Sequence, residues 1–148
     1  EGYLALFERR RARGKLELLP PRRLFVDEDN QPIQLNPGFA GKSGRRKIAV
    51  ADWDGDGRLD VLVDSINADW WRNCETRDGK IVLKRVGPLG QRNLSSHSTS
   101  PCVVDWDGNG KPDLLLGAED GFFYHLPHEE AIAYPASAKI ARPARKSK

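Results

Sequence analysis

Asp52-Trp-Asp-Gly-Asp-Gly-Arg-Leu-Asp60 and its echo Asp105-Trp-Asp-Gly-Asn-Gly-Lys-Pro-Asp113 decide how this chain is read. Each run places an oxygen-bearing side chain at positions one, three, five and nine, with glycine at four and six. A hard cation such as Ca²⁺ takes about six to eight oxygen ligands at short range, which a tight loop of alternating carboxylates supplies. The glycines permit the positive-φ backbone that such a coil needs. An ion-free surface turn is the plainer alternative, because Asp, Asn and Gly are ordinary turn residues.

The flanks separate two kinds of calcium loop. An EF-hand needs an acid at position twelve and a helix on either side. Position twelve here is Val63 in the first run and Leu116 in the second. The incoming segments, Ile48-Ala-Val-Ala51 and Cys102-Val-Val104, are short and β-branched; the outgoing ones, Val61-Leu-Val63 and Leu114-Leu-Leu116, are short and apolar. Such runs predict strand, loop, strand, with the acid at position nine closing the cage.

This succession resembles the FG-GAP/VCBS repeats that build the blades of integrin-α-like β-propellers and of many secreted bacterial proteins. The likeness is closest over Lys47–Val63 and Pro101–Leu126, with a weaker version between them. It implies an all-β partial propeller of roughly two and a half antiparallel four-stranded blades. It also implies two calcium sites, on loops joining the first and second strands of a blade, on the face opposite the usual ligand face. The first is Asp52, Asp54, Asp56, Asp60 and the carbonyl of Arg58; the second is Asp105, Asp107, Asn109, Asp113 and the carbonyl of Lys111. Because ligand charge tunes affinity, the four carboxylates of the first loop predict tighter binding than the three of the second.

Internal echoes extend the repeat. Gly14-Lys-Leu-Glu-Leu18 parallels Gly79-Lys-Ile-Val-Leu83, and Glu1-Gly-Tyr-Leu-Ala-Leu6 parallels Asp120-Gly-Phe-Phe-Tyr-His-Leu126. Residues 1–19 then read as the last two strands of an incomplete blade, and 20–46 as a Pro/Gly-rich connection with a short strand near Arg23–Val26. Residues 47–86 read as a blade with strands at Lys47–Ala51, Leu59–Asp64, Trp70–Asn73 and Lys80–Val86. A polar connection over 87–100, three strands within 101–126 and a basic, disordered tail over 127–148 complete the division. The opening Glu-Gly-Tyr, without a basic-then-apolar leader, is what a piece of a longer protein would show.

On the expected ligand face the candidates are Arg45, Arg46, Lys47, Asn67, Trp70 and His97. Trp53 and Trp106 hold equivalent loop positions, which predicts a shared packing role. Trp70 and Trp71 must point to opposite faces of a strand, so one is expected in the core and the other outside it. Cys74 and Cys102 have no metal-ligand spacing and are read as two buried or half-buried thiols, with a disulfide between them as the alternative. Seven of the 21 acids sit in the two loops, so the formal charge of +3 understates the basicity elsewhere. That basicity suits an acidic polysaccharide, although a solvated surface accounts for it too; no nucleic-acid module is visible.

No apolar run approaches the ~20 residues that span a membrane. There is no G-x-S-x-G elbow, H-E-x-x-H pair or phosphate-binding glycine loop, so no catalytic residue is assigned. The family resemblance implies an extracellular, cell-surface or periplasmic setting. The expected role is non-catalytic adhesion or ligand binding, with the parent chain's other blades, a polysaccharide or another extracellular protein as partners. The alternative is part of a secreted polysaccharide lyase, or another carbohydrate-active enzyme on a propeller, with His97 and Tyr124 or His125 as its residues.

Overall fold

The structure is a computed structural model that describes residues 2–35, 46–65, 67–90, 93–94, 98–131 and 133. Those residues are all-β, with no helix, and thus none that could cross a membrane. The strands are β1 (Arg9–Ala12), β2 (Lys15–Leu18), β3 (Phe25–Val26), β4 (Ile48–Ala51) and β5 (Asp60–Asp64). They continue with β6 (Ala68–Arg77), β7 (Lys80–Leu89), β8 (Ser100–Val104), β9 (Asp113–Gly117) and β10 (Phe123–Leu126). The chain divides into two compact units, Glu1–Arg46 with Cys74–Lys84, and Lys47–Asn73 with Arg85–Lys148; β6 and β7 run through both.

The first unit is built on tight turns. Arg13 and Gly14 both have positive φ, as do Asp78 and Gly79, and in each case two such residues join antiparallel strands. That backbone matches the twist of a hairpin. The β1–β2 hairpin is exposed along almost its whole length, with Leu16 64% and Leu18 67% accessible. β3 pairs parallel with β7 through Phe25–Ile81 and Val26–Val82, which puts the short strand expected near Arg23–Val26 in a sheet. Val26, Ile33, Val82 and Leu83 are its buried apolar side chains. The Arg23 guanidinium lies 4.1 Å from the Tyr3 ring centroid.

The second unit contains one antiparallel three-stranded motif twice. In the first copy Ala51 faces Asp60 across β4–β5, and Val61 faces Trp71 across β5–β6. In the second, Val104 faces Asp113 across β8–β9, and Leu114 faces Leu126 across β9–β10. Every pairing in one copy has its counterpart in the other, in the same register. β8 packs against β4 and β5. The shared core is Trp53, Leu62, Ala68, Leu89, Leu114, Leu116 and Ala131, with Ala49, Trp70, Leu94, Val103, Tyr124 and Leu126 at its margin.

Several boundaries differ from the sequence expectation. β6 continues past Asn73 to Arg77 although its outer half is polar, because the Asp78-Gly79 turn lets it pair with β7 in a hairpin. β7 runs into the segment expected to be a polar connection, and Gly87–Gly90 is buried there because Leu89 fills the core. The start of the expected disordered tail is ordered: Pro127 begins a turn, Ala131 is buried and Ala133 bridges Leu89. The remainder, 134–148, lies outside the described residues.

Leu62 is fully buried in β5, whereas Leu18 stands in solvent. Leu62→Ala is expected to lower unfolding free energy by about 2–5 kcal/mol, from lost apolar transfer plus the cavity left behind. Leu18→Ala should stay within about 0.5 kcal/mol. Urea denaturation of the two variants measures both, and equal losses would contradict this assignment of the core.

Candidate metal centre

The loop between β4 and β5 and the loop between β8 and β9 fold alike, and the cause is visible bond by bond. In the first, the Asp56 N–H donates to Asp52 Oδ1 (3.0 Å) and Asp54 Oδ1 (3.3 Å), and the Gly57 N–H donates to Asp52 Oδ2 (2.9 Å). The Arg58 N–H donates to Asp56 Oδ1 (3.0 Å). In the second, the Asn109 N–H donates to Asp105 Oδ1 (3.0 Å) and Asp107 Oδ1 (3.1 Å), and the Gly110 N–H donates to Asp105 Oδ2 (2.9 Å). The Lys111 N–H donates to Asn109 Oδ1 (2.8 Å). Gly57 and Gly110 share a φ of 86°, a left-handed conformation that glycine adopts without steric cost.

Carboxylate oxygens of Asp52, Asp54 and Asp56 lie within 4.8 Å of one another. Calcium–oxygen bonds of about 2.4 Å let two ligands of one ion stand up to about 4.8 Å apart, so these three fit a common cation. The second loop offers two carboxylates and the Asn109 amide at the matching positions, a donor set hard cations also accept.

Position nine is built differently from the other acids. Asp60 is fully buried and accepts three N–H bonds: from Trp53 backbone (3.3 Å), the Trp70 ring (2.9 Å) and Asn73 backbone (2.7 Å). Asp113, also fully buried, accepts from the Trp106 backbone (3.2 Å) and the His128 backbone (2.9 Å), and His125 Nε2 lies 3.1 Å away. A carboxylate only accepts, so this contact places a proton on Nε2. Each position-nine acid therefore ties its loop to the third strand of its motif, and Asp60 stands apart from the converging triad.

The two clamps titrate in opposite directions. Burial pushes Asp60 above the ordinary carboxylate range, only partly offset by the Asn73 and Trp70 N–H groups, and the Asp54 charge adds to the rise. Asp113 is held below that range, first by the His125 ring and then, against desolvation, by the His128 and Trp106 N–H groups. Asp56 also sits low: desolvation raises it, but the Arg58 N–H and the charges of Arg72 and Arg58 outweigh that. Arg72 Nε lies 2.6 Å from Asp54 Oδ2, and its Nη2 lies 3.1 Å from Asp56 Oδ2.

The expected ligand face resolves into separate places. Asn67 is 1% exposed, and its side chain is a bracket: Nδ2 donates to the Gly90 carbonyl (2.8 Å) and Oδ1 accepts the Ala68 N–H (2.7 Å). Lys47 Nζ donates to the Thr99 carbonyl (3.2 Å), and the Thr99 hydroxyl donates to the Asn67 carbonyl, which brings Lys47 and Asn67 to one junction. Trp70 turns instead to the first loop, through Asp60. Arg46 is half-buried, while Arg45 and His97 lie outside the described residues.

The tryptophans of the two loops do not share a packing role. Trp53 is buried in the core, its ring 5.0 Å from that of His128. Trp106 is 64% exposed, with the His125 ring 6.2 Å away. Neither Trp70 nor Trp71 is fully buried or fully exposed. Of the residues considered for a lyase, the Tyr124 hydroxyl bonds Asp120, and His125 is engaged with Asp113. Cys74 and Cys102 are free thiols, the former half-buried and the latter exposed.

Sequence reasoning missed Arg72 and the ring N–H donors. The available signal was strand alternation: Trp70 and Arg72 are two apart, so they face the same side. Comparisons with protein-family models, curated proteins and solved structures found no match.

Asp60→Ala leaves three buried donors without their acceptor, at a cost of at least about 3 kcal/mol. Thermal melts with and without EDTA should show that loss in both conditions. A loss that vanishes in EDTA would make Asp60 chiefly a metal ligand.

Proposed function

We propose that this chain is a calcium-stiffened segment of an FG-GAP/VCBS-type β-propeller, part of a larger secreted or cell-surface protein, with a non-catalytic role in adhesion or ligand display. The observation that carries this reading is the pair of identically hydrogen-bonded acidic loops, each at the same corner of the same three-stranded motif. An incidental Asx/Gly turn has no reason to recur with every donor and acceptor in place. The three-stranded motifs are read as blades, and the acids at positions one, three and five as the heart of each calcium site.

Calcium would act on stability rather than chemistry. Ion binding to the folded chain alone adds about 2.7 kcal/mol at a hundredfold excess over Kd. In these loops that gain offsets the mutual repulsion of clustered carboxylates and pins a turn between two strands. The role in adhesion follows from the architecture of the family resembled, and carbohydrate or protein is the class of ligand it suggests.

Calorimetric titration of the 148-residue chain with Ca²⁺ is expected to show two sites, with Asp56→Ala abolishing one and Asn109→Ala weakening the other. EDTA is expected to lower the melting temperature. No heat of binding and a melt indifferent to EDTA would reject calcium as the ligand of these loops.

A further inference from the structure

We infer that Arg72 is the first loop's own counter-cation, a guanidinium that a divalent ion must displace to bind there. The inference rests on the calcium reading of the loops and refines it: the two sites differ in kind as well as in charge. The first loop has a guanidinium set directly on its acids, whereas the second has only the more distant charge of Lys111, which is paired with Glu129.

Every carboxylate oxygen of the loop keeps a lone pair for a cation, but the loop's own N–H groups occupy them unequally. Both oxygens of Asp52 accept loop N–H bonds, from Asp56 and Gly57. Asp54 and Asp56 each commit Oδ1 to the loop backbone, to the N–H groups of Asp56 and Arg58. Oδ2 of Asp54 and Oδ2 of Asp56 take no N–H bond from the loop backbone and are the acids' most open oxygens. Arg72 contacts those two atoms, at 2.6 Å and 3.1 Å. The Arg58 guanidinium joins it on Asp56 Oδ2. The guanidinium thus spans both acids, hydrogen-bonded to Asp56 through Nη2 and in charge contact with Asp54 at Nε, a reach that the single ammonium of lysine does not match. The acids are 19% exposed and Arg72 42%, so the pairing is partly sheltered but open to exchange.

The second loop supplies an internal comparison. One step beyond the last paired residues of each motif, the position-nine acid stands beside Arg72 in the first copy and Pro127 in the second. Among the described residues, the side-chain donor to Asp107 Oδ2 there is the neutral Asn109 Nδ2, at 2.9 Å, with the Lys111 charge acting from farther away. Lys111, the counterpart of Arg58, pairs with Glu129 at 2.7 Å. Among the described residues, the other ion pair of this loop is His125 with Asp113, behind it rather than in its mouth. Counting carboxylates ranks the first loop as the tighter site; counting the guanidinium as well removes that advantage.

The test isolates the first loop by working in an Asp107→Ala background, with Asn109→Ala as a second background should the former fold poorly. Ca²⁺ is titrated calorimetrically into that chain and into the same chain carrying Arg72→Gln or Arg72→Lys. Arg72→Gln is expected to tighten Ca²⁺ binding by up to about fivefold, the span set by partly exposed ion pairs. Arg72→Lys should fall between. In EDTA, Arg72→Gln should melt below its parent and recover more on adding Ca²⁺, because the variant keeps only Arg58, on Asp56, and has lost the cation against Asp54. Unchanged or weaker binding in Arg72→Gln, with Ca²⁺ still bound by its parent, overturns the role of Arg72 and leaves the calcium reading standing. No Ca²⁺ binding by the unsubstituted chain or any variant overturns that reading and this inference with it.

Discussion

The second unit depends on a buried carboxylate that never faces solvent. Asp60 gathers a loop N–H and two groups of β6, Asp113 a loop N–H, the His125 ring of β10 and the N–H of His128 just beyond it, and both do so at zero exposure. Burying a charge is tolerable only when hydrogen bonds replace its lost hydration. Here the replacement comes from backbone N–H groups that would themselves be orphaned where the chain leaves a sheet. One side chain thus closes the loop, starts the second strand and ties it to the third. The rest of each motif follows: β5 is buried on both faces, Leu62 from one face of it meets Leu114 and Leu116 from the opposite face of β9 in the shared core, and the acidic coil is held at the sheet's corner.

The same clamp carries two different third donors, and the difference propagates. Trp70 gives Asp60 a neutral ring N–H and contributes apolar bulk at the core margin; the carboxylate remains costly to ionise and its pKa is raised. His125 gives Asp113 a donor that draws its pKa down. Two residues on, Arg72 turns toward the mouth of the first loop, where Pro127 in the second has no group to offer. A duplicated frame has therefore kept its backbone chemistry while its electrostatics diverged. The conserved geometry resides in N–H groups that any residue supplies, and the divergence resides in side chains.

Much of this frame was legible in the sequence, for a physical reason. The loops declare themselves because oxygen ligands and positive-φ glycines leave few alternatives, and the short apolar flanks can only be strands. β4, β5, β8, β9 and β10 fall where those patterns put them. The outer half of the β6–β7 hairpin was not legible, since Cys74-Glu-Thr-Arg77 shows no apolar alternation; only the Asp78-Gly79 turn betrayed the pairing. Asn67 read as a surface polar residue but is a buried bracket, because nothing local tells an exposed amide from one whose partner is the Gly90 carbonyl. Trp53 and Trp106 looked equivalent and are not: the core surrounds one and leaves the other exposed.

The acids at one, three and five and the acid at nine look interchangeable in a motif, yet the structure separates their duties. The first three have their Oδ1 atoms bound by the loop and, at Asp54 and Asp56, a second oxygen turned outward; the last has both oxygens turned inward. A loop organised only by a cation would collapse into repulsion when the cation left. These loops have a second framework of N–H bonds, independent of any ion, anchored on the buried acid. Ion binding and loop shape are consequently separable properties. The strand corner is held by those N–H bonds, while the Arg72 guanidinium sits against the outward oxygens of Asp54 and Asp56.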